Sequence, residues 1–171
     1  MKIKKLKNLI MLLIAMLAMS ALVGCGNGET EEDYFPEVFM TGEQFVEIME
    51  SNGAFVTDMS EWFPGIFIAT DSDTPPMEMG VGRDYGYLII FNSSDDRERI
   101  TEEYNFIMEM LEREEKSMSE FSEENGIIRY EFISDRLGYN LIVKASNILI
   151  QADGPEASRG LINSLVSSLG F

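Results

Sequence analysis

The sequence predicts an α+β fold, with a mostly antiparallel sheet and about three helices on one face. Three amphipathic stripes at helical spacing alternate along the chain with short β-rich runs. Tight turns join the predicted strands, which favours antiparallel pairing. The chain has 171 residues and 45% apolar content, which suits a single core.

The first predicted helix covers residues 42–51. Thr41 and Gln44 have the spacing of a capping box, and Asn52-Gly53 ends the apolar periodicity. Between this helix and the next, β-rich runs bounded by Gly, Pro and Asp predict four short strands. They are 55–59, 66–69, 77–81 and 87–91.

A long helix is predicted over 95–115, with Ser93 and Ser94 as caps and acidic residues in its first turn. Three further strands follow a polar stretch, and a final helix begins after Asp153-Gly154-Pro155 and ends at Gly170. The predicted order is therefore α-β-β-β-β-α-β-β-β-α. The three later strands are 127–133, 139–144 and 148–151.

The two halves of the chain contain a weak echo of each other. Leu88-Ile89-Ile90 precedes the long helix, and Ile148-Leu149-Ile150 precedes the final one. Two βββα halves, and hence a weak duplication, would explain this echo, but strand-to-helix joints of this kind occur in any α+β chain.

The N-terminus has the anatomy of an export signal. Four lysines precede an apolar stretch, Leu9–Val23, that is too short to span a bilayer well. Leu22-Val23-Gly24-Cys25 resembles the lipobox of bacterial lipoproteins. This resemblance implies cleavage of a signal peptide, 1–24, and attachment of acyl chains such as palmitate to Cys25. They would anchor the protein in the cell membrane on its extracytoplasmic side.

The sequence after the signal peptide divides into an acidic linker and one domain. Residues 25–34 comprise the acylated cysteine and the linker, and 35–171 form a single α+β domain. Removing 1–24 takes away four lysines and no acid, so the formal charge changes from −17 to −21. An anionic bilayer would repel such a domain, so the lipid holds it near the membrane while the domain stands off.

The composition excludes several classes of function. The chain has no His and one Cys, which removes His-based triads, imidazole metal sites and disulfides. Its acidic charge argues against nucleic acid as a partner. No cofactor is predicted.

Two groups of residues contain possible metal ligands, but their spacing or composition argues against a metal site. Asp71, Asp73 and Glu78 lie in a turn, but prolines occupy the middle of it and the spacing is wrong for a Ca²⁺ loop. Methionine pairs resemble thioether sites for Cu(I), yet no His or Cys supports them, so we predict that they fill the core. They are Met77 with Met79 and Met108 with Met110.

An acidic run surrounds the end of the long helix, and we interpret it as a solvated face or loop. The alternative is a docking surface for a cationic protein or cell-envelope partner. The run contains Glu112, Glu114, Glu115, Glu120, Glu123 and Glu124. Aromatic residues in predicted loops would seed a binding patch if any ring were exposed. They are Tyr34, Phe35, Phe39, Trp62 and Phe63.

The C-terminal segment adds a second resemblance. Asn147-Ile-Leu-Ile-Gln-Ala, a helix and the ending Ser168-Leu-Gly-Phe171 are similar to the C-termini of small, uncharacterised lipoproteins of Gram-positive gut bacteria. The resemblance covers about 30 residues and the lipobox, and it implies localisation and domain type but no activity.

These observations favour a lipid-anchored extracytoplasmic binding or regulatory domain over an enzyme. The alternative is a carboxylate-based hydrolase acting on cell-wall or sugar substrates. A cleft holding two acids, one of them desolvated, would favour the hydrolase. A shallow surface with an exposed aromatic patch would favour binding.

Overall fold

The computed structural model describes residues 40–72 and 86–171. Within those residues it contains α-helices, a β-sheet and one short 3-10 helix, so the predicted α+β class is confirmed. In chain order the elements are α1 (Gly42–Ser51), β1 (Phe55–Asp58), β2 (Ile66–Thr70), β3 (Leu88–Ser93), α2 (Arg97–Leu111), β4 (Met118–Glu124), β5 (Ile127–Ser134), β6 (Gly138–Ala145), β7 (Ile148–Gly154), the 3-10 helix (Glu156–Ser158) and α3 (Arg159–Ser168).

Helix α1 has the predicted bounds, and a capping box fixes its start. The Gln44 backbone N–H donates to Thr41 Oγ1 at 3.2 Å, and the Thr41 N–H donates to Gln44 Oε1 at 2.9 Å. Each bond satisfies a backbone donor that has no partner within the helix. Phe45 and Met49, one turn apart, are fully buried against the sheet.

The sheet has seven strands in the order β1-β2-β3-β7-β6-β5-β4. Every neighbouring pair is antiparallel, as predicted. The predicted element order is wrong because it omits β4, which lies in the polar stretch after the long helix. Only Met118 and Phe121 are apolar in this strand, and their spacing of three hides the alternation that identifies strands.

Helices cover both faces of the sheet, so the prediction that they share one face is wrong. Ile148 and Ile150 of β7 pack in the cluster that contains the buried residues of α1 and α3. Leu149, which points to the other side, packs against Ile100 and Ile107 of α2. Strands β3 and β7 lie at the centre of the sheet, and their continuous apolar runs require cover on both sides.

The larger core lies between the sheet and the pair α1 and α3. Phe45 of α1 stacks on Phe91 of β3 with ring centroids 4.7 Å apart. At the other end of the same layer, Ile162 and Val166 of α3 are fully buried. Tyr139 of β6 is also fully buried in this layer, so its hydroxyl group needs internal partners.

Helix α2 is shorter at both ends than the predicted 95–115. Asp96, rather than Ser93 or Ser94, is the N-cap, and its carboxylate accepts hydrogen bonds from the N–H groups of Glu98 and Arg99. The apolar stripe of the helix faces Ile142 and Leu149. The predicted helix therefore begins before the observed N-cap and continues past its last residue, Leu111.

The echo between the two halves remains a prediction. Strands β3 and β7 are neighbours, and a helix follows each. However, Ile89 packs on the side of α1, whereas its counterpart Leu149 packs on the side of α2. A two-fold axis between antiparallel neighbours would place the counterparts on one face, so the sheet gives the duplication no support. The predicted strand 77–81 lies outside the described residues.

Candidate functional site

Strand β4 is the edge of the sheet farthest along the strand order from β1. Among the described residues it pairs only with β5, so one side of its backbone has no strand partner there. Met118 is half-buried and the six residues after it are exposed. An open strand edge presents N–H and C=O groups that can pair with another chain.

The turn into β5 explains why this acidic segment forms a strand. Asn125 and Gly126 have φ of 52° and 75°, which matches the two central residues of a type I′ turn. Such a turn has the twist of a two-residue hairpin and fixes the pairing of the strands on either side. In the resulting register, Phe121 lies opposite Tyr130 and Glu120 lies opposite Glu131.

Three aromatic side chains lie on the α2 side of the sheet at this hairpin. Phe121 is 59% exposed. Tyr130, its partner across the strands, and Tyr104 of α2 are half-buried and pack against the cluster of Ile142 and Leu149. Burial raises the pKa of Tyr104, and the nearby Glu123 and Tyr130 raise it further. We call Tyr104, Phe121 and Tyr130 the aromatic patch.

Lys144 and Glu123 are charged neighbours of the aromatic patch. The Lys144 ammonium group lies 5.9 Å from the centre of the Tyr104 ring, within the range of a cation–π contact. Burial lowers the pKa of Lys144, and the Glu123 carboxylate opposes that shift. This cation is therefore engaged with the protein itself, whereas the outer side of β4 carries glutamates.

On the opposite face of the hairpin, Glu131 is held in a polar network. Its Oε2 accepts a hydrogen bond from the Tyr139 hydroxyl group at 2.5 Å, and its Oε1 accepts one from the Arg159 guanidinium group at 2.9 Å. Arg159 also lies 4.0 Å from Glu120. Glu131 is 8% exposed, so these partners compensate for its lost hydration.

Asn163 of α3 joins the network to the helix. Its Oδ1 lies 2.6 Å from the Tyr139 hydroxyl group and accepts a hydrogen bond from Arg129 at 2.8 Å. Together with Arg159, these contacts attach α3 to β5 and β6. The polar groups around Tyr139 therefore have a structural role, which is to hold α3 on the sheet.

The ionisation of Glu131 does not suit a proton donor. Burial raises its pKa, but hydrogen bonds from Tyr139 and Arg159 outweigh that effect, and the net pKa lies below its ordinary value. Burial raises the pKa of Tyr139, and its hydrogen bond to Glu131 raises it further. At neutral pH, Glu131 is therefore a carboxylate and Tyr139 is a phenol.

Two other acids have raised pKa values, but neither lies beside Glu131. Burial raises the pKa of Asp153 to about 7. It also raises that of Glu103, although Arg99 and the hydrogen bond from Asn92 oppose the shift. Asp153 is opposite Leu88 and Asn140 in register, on the α2 side of the sheet, whereas Glu131 points to the α3 side. The sheet therefore separates Asp153 from Glu131.

Asp153 and Glu103 are also separated along the sheet. Glu103 Oε2 accepts a hydrogen bond from the Asn92 side chain at 2.6 Å, and Asn92 is opposite Leu149 in register, four residues before Asp153. At a rise of about 3.3 Å per residue this is about 13 Å. The buried Glu131 does lie opposite a second carboxylate, that of Glu120, but its pKa is lowered. The two acids with raised pKa values, Asp153 and Glu103, are paired neither with Glu131 nor with each other.

Comparisons of the chain with protein-family models, curated proteins and solved structures found no match. In the part of the chain that the structure describes, the helices are too short or too polar to cross a bilayer. Across the same residues, no three acidic or cysteine side chains group closely enough to hold a metal ion.

Asp71, a candidate Ca²⁺ ligand, has a structural partner. Its Oδ2 accepts a hydrogen bond from the Gly86 N–H at 2.8 Å, which joins the two ends of the segment between 72 and 86. Asp73, Glu78 and the Met77 with Met79 pair lie outside the described residues. Met108 and Met110 lie on α2 and are half-buried.

The aromatic residues singled out in the sequence have different surroundings. Trp62 is 60% exposed in the turn between β1 and β2. Phe63, its neighbour, packs against the cluster of Met59 and Ile66. Cys25 and the remaining candidates lie outside the described residues; these are Tyr34, Phe35 and Phe39.

Sequence reasoning missed the aromatic patch. The sequence predicts a strand over 127–133, which contains Tyr130, but none in the polar stretch that contains Phe121. It therefore does not predict that the two side chains are neighbours. The signal that was available is the Asn125-Gly126 dipeptide, which is typical of a type I′ hairpin. Applied to this segment, it predicts a strand on both sides and sets Phe121 beside Tyr130.

Proposed function

We propose that the protein is a lipid-anchored extracytoplasmic binding domain whose binding surface is the β4 edge with the aromatic patch. The observation that carries this proposal is the exposure of Phe121, at 59%, on a strand whose outer side lacks a strand partner among the described residues. Large exposed aromatic side chains in an open, shallow surface are typical anchors of protein interfaces.

The anchor in this proposal is Cys25. The resemblance of Leu22-Val23-Gly24-Cys25 to a lipobox supports acylation, and two or three acyl chains hold a protein on a membrane where a single chain is marginal. The linker 25–34 and the charge of −21 after cleavage would keep the domain off an anionic surface. The binding surface would then face partners in the cell envelope.

The acids of the described region favour binding over hydrolysis. A glycoside hydrolase needs one carboxylic acid with a raised pKa close to a second carboxylate. Glu131, which lies opposite Glu120, has a lowered pKa. Asp153, with a pKa of about 7, points to the other face of the sheet. The close carboxylate pair and the raised pKa that a hydrolase combines are therefore found on different residues.

The proposal is tested in cells by placing a photoreactive phenylalanine analogue at position 121. Because the analogue keeps an aromatic ring on an exposed position, the fold is expected to be unaffected. Illumination is expected to yield a discrete crosslinked species. In the same experiment, Cys25→Ser is expected to block processing or release the protein from membranes, and to weaken the crosslink because the protein no longer meets its partner there.

Position 62 provides the matched control, since Trp62 is 60% exposed but lies in the turn between β1 and β2. The same analogue at that position is expected to give no such species. Equal crosslinking at both positions, or none at 121, would contradict a binding surface at β4. Normal processing and membrane retention of Cys25→Ser would contradict the lipid anchor.

A further inference from the structure

We infer that the partner of the β4 edge is an extended, cationic protein segment that pairs with β4 as an eighth strand of the sheet. This inference rests on the proposed function and specifies its ligand. It combines three features of β4: an open backbone edge, an exposed apolar ring and a charge of one sign.

The backbone of β4 supplies the pairing groups. The strand has seven residues, which span about 23 Å at a rise of about 3.3 Å per residue. Because β5 occupies one side of β4 and no described strand lies on the other, alternate residues direct their N–H and C=O groups outward. An incoming strand satisfies these groups, as in other cases of strand addition.

Phe121 supplies an apolar contact at the middle of the strand. Three residues of β4 precede it and three follow it. Side chains directly opposite each other in an antiparallel pair lie about 5 Å apart, so a Val or Ile on the added strand would cover the exposed side of the ring. The preferred segment therefore has an apolar residue at its centre.

Charge determines which segment fits. Glu120, Glu123 and Glu124 are exposed on β4, and the strand itself contains no Lys or Arg. Arg159 lies 4.0 Å from Glu120 on one face of the sheet. On the other face, Lys144 interacts electrostatically with Glu123. Neither cation belongs to the strand, so its outer edge stays acidic. An added strand with Lys or Arg beside its apolar residue would be complementary.

Two other candidates for pairing with β4 are a second copy of the chain and the chain's own linker. Both carry the wrong charge. A second copy would bring three glutamates from each β4 together in chains whose formal charge is −21 after cleavage. The predicted linker of this chain contains Glu29, Glu31, Glu32 and Asp33. Like charges on neighbouring strands oppose pairing, and charged edges are a common protection against self-association. The same glutamates therefore repel self-pairing and attract a cationic strand.

The test uses the purified full-length protein in detergent micelles and a peptide of seven residues, Lys-Thr-Lys-Val-Lys-Thr-Lys, with blocked ends. Its sequence is a palindrome, so it presents the same pattern to β4 in either direction. The control peptide has Glu in place of each Lys. Binding of the lysine peptide is expected to slow hydrogen exchange of alternate β4 amides and to weaken with added salt. Binding of the glutamate peptide is not expected.

Two pairs of variants locate the contact. Phe121→Ser is expected to weaken binding by about ten-fold or more, because it removes most of a buried apolar contact. Trp62→Ser, at a position of equal exposure, is expected to leave binding unchanged. Glu120→Gln with Glu124→Gln is expected to weaken binding, whereas Glu47→Gln with Glu50→Gln, exposed on α1, removes the same charge and is expected to have little effect.

Each other result overturns the inference in a distinguishable way. Protection of β4 amides that grows with protein concentration alone identifies a second copy as the occupant. Protection in the free protein that is lost when residues 26–33 are replaced by Gly and Ser identifies the linker. If position 121 crosslinks in cells but the lysine peptide does not protect β4, the surface binds another kind of ligand. The proposed function then stands and the cationic strand is rejected.

Discussion

The ionisation of two single residues, Asp153 and Glu131, changes the stability of the fold with pH in opposite directions. Burial raises the pKa of Asp153 to about 7, so the folded protein binds its proton more tightly than the unfolded chain does. Glu131 has a lowered pKa because its hydrogen bonds to Tyr139 and Arg159 outweigh its burial. The ionised Asp153 therefore lowers the free energy of unfolding at high pH, whereas the stability that the Glu131 carboxylate contributes is lost at low pH, when it is protonated.

The first prediction concerns Asp153→Asn. An unfolded aspartate ionises near pH 4, so the free energy of unfolding falls as pH rises from about 4 to about 7 and stays low above that. Asparagine has no such charge. The variant is expected to be more stable than the original above pH 7, by at most about 4 kcal/mol, and equal to it below pH 4. Urea unfolding across this pH range measures the difference.

Asp58→Asn is the matched control for that measurement. Its carboxylate accepts a hydrogen bond from the Ser60 N–H at 2.7 Å, and hydrogen bonds from Ser60 lower its pKa. Stability from this group is present above its unfolded pKa and lost as pH falls. The control variant is therefore expected to lose stability at neutral pH. A loss of stability in Asp153→Asn above pH 7 would contradict the raised pKa.

At the scale of elements, a buried amide attaches α2 to the sheet. Asn92, 1% exposed at the end of β3, donates to Glu103 Oε2 at 2.6 Å and accepts a hydrogen bond from Arg99 at 3.1 Å. Both partners are on α2, so the bonds set the position of the helix over the α2 side of the sheet. The apolar contacts of Ile100 and Ile107 then complete the packing.

The second prediction separates the hydrogen bond of Glu103 from its charge. Glu103→Ala leaves the Asn92 amide without this acceptor and is expected to lower the free energy of unfolding by about 1–3 kcal/mol. Glu103→Gln keeps an acceptor and removes a charge that burial disfavours, so its stability at pH 7 is expected to equal or exceed that of the original. Urea unfolding of both variants measures this. A Gln variant as unstable as the Ala variant would show that the charge itself is required.

The elements that could be predicted are those whose evidence is local. Helix α1 was predicted with correct bounds because Thr41, Gln44 and Asn52-Gly53 mark both ends. Strand β4 was not, because its apolar residues do not alternate and its form depends on pairing with β5. The position of α2 on the opposite face also depends on distant residues. The local signal for a helix on that face is the continuous apolar run of β3 and of β7, because such runs are typical of strands that are covered on both faces.

The candidate site was predictable only in part for the same reason. The acidic run was recognised, with a cationic partner as one alternative, because charge is visible in the sequence. The aromatic patch combines Tyr104, Phe121 and Tyr130 from α2, β4 and β5. Their proximity results from strand register and helix packing, which no local pattern specifies. Asp153 is similar, since its burial depends on neighbouring elements rather than on adjacent sequence.

At the scale of the whole molecule, charge opposes compactness. The chain has 30 acidic and 13 basic residues and a formal charge of −17, which would become −21 if residues 1–24 were removed. Folding brings these carboxylates closer together than they are in the unfolded chain, so their mutual repulsion lowers stability. Dissolved ions screen such repulsion over about 8–10 Å near physiological ionic strength.

The third prediction is that added NaCl raises the melting temperature of the full-length protein at pH 7. Ca²⁺ and Mg²⁺ are expected to act alike at equal ionic strength, because screening does not distinguish them. Calorimetry or circular dichroism over a salt series measures this. A melting temperature that fell with salt would contradict dominant self-repulsion. A rise specific to Ca²⁺ and abolished by Asp71→Asn with Asp73→Asn would restore the Ca²⁺ site that the sequence argued against.

The N-terminal end of the described chain and the proposed binding surface at β4 lie at opposite edges of the sheet. The described chain begins at Met40 and enters α1, which packs near β1 and β2, whereas β4 is the seventh strand in the order that starts at β1. Six interstrand spacings of about 4.8 Å amount to about 29 Å. If the lipid holds the protein through residues before Met40, the chain that leads to the anchor joins the domain on the side remote from β4. A strand added to β4 would therefore not compete with that chain for space.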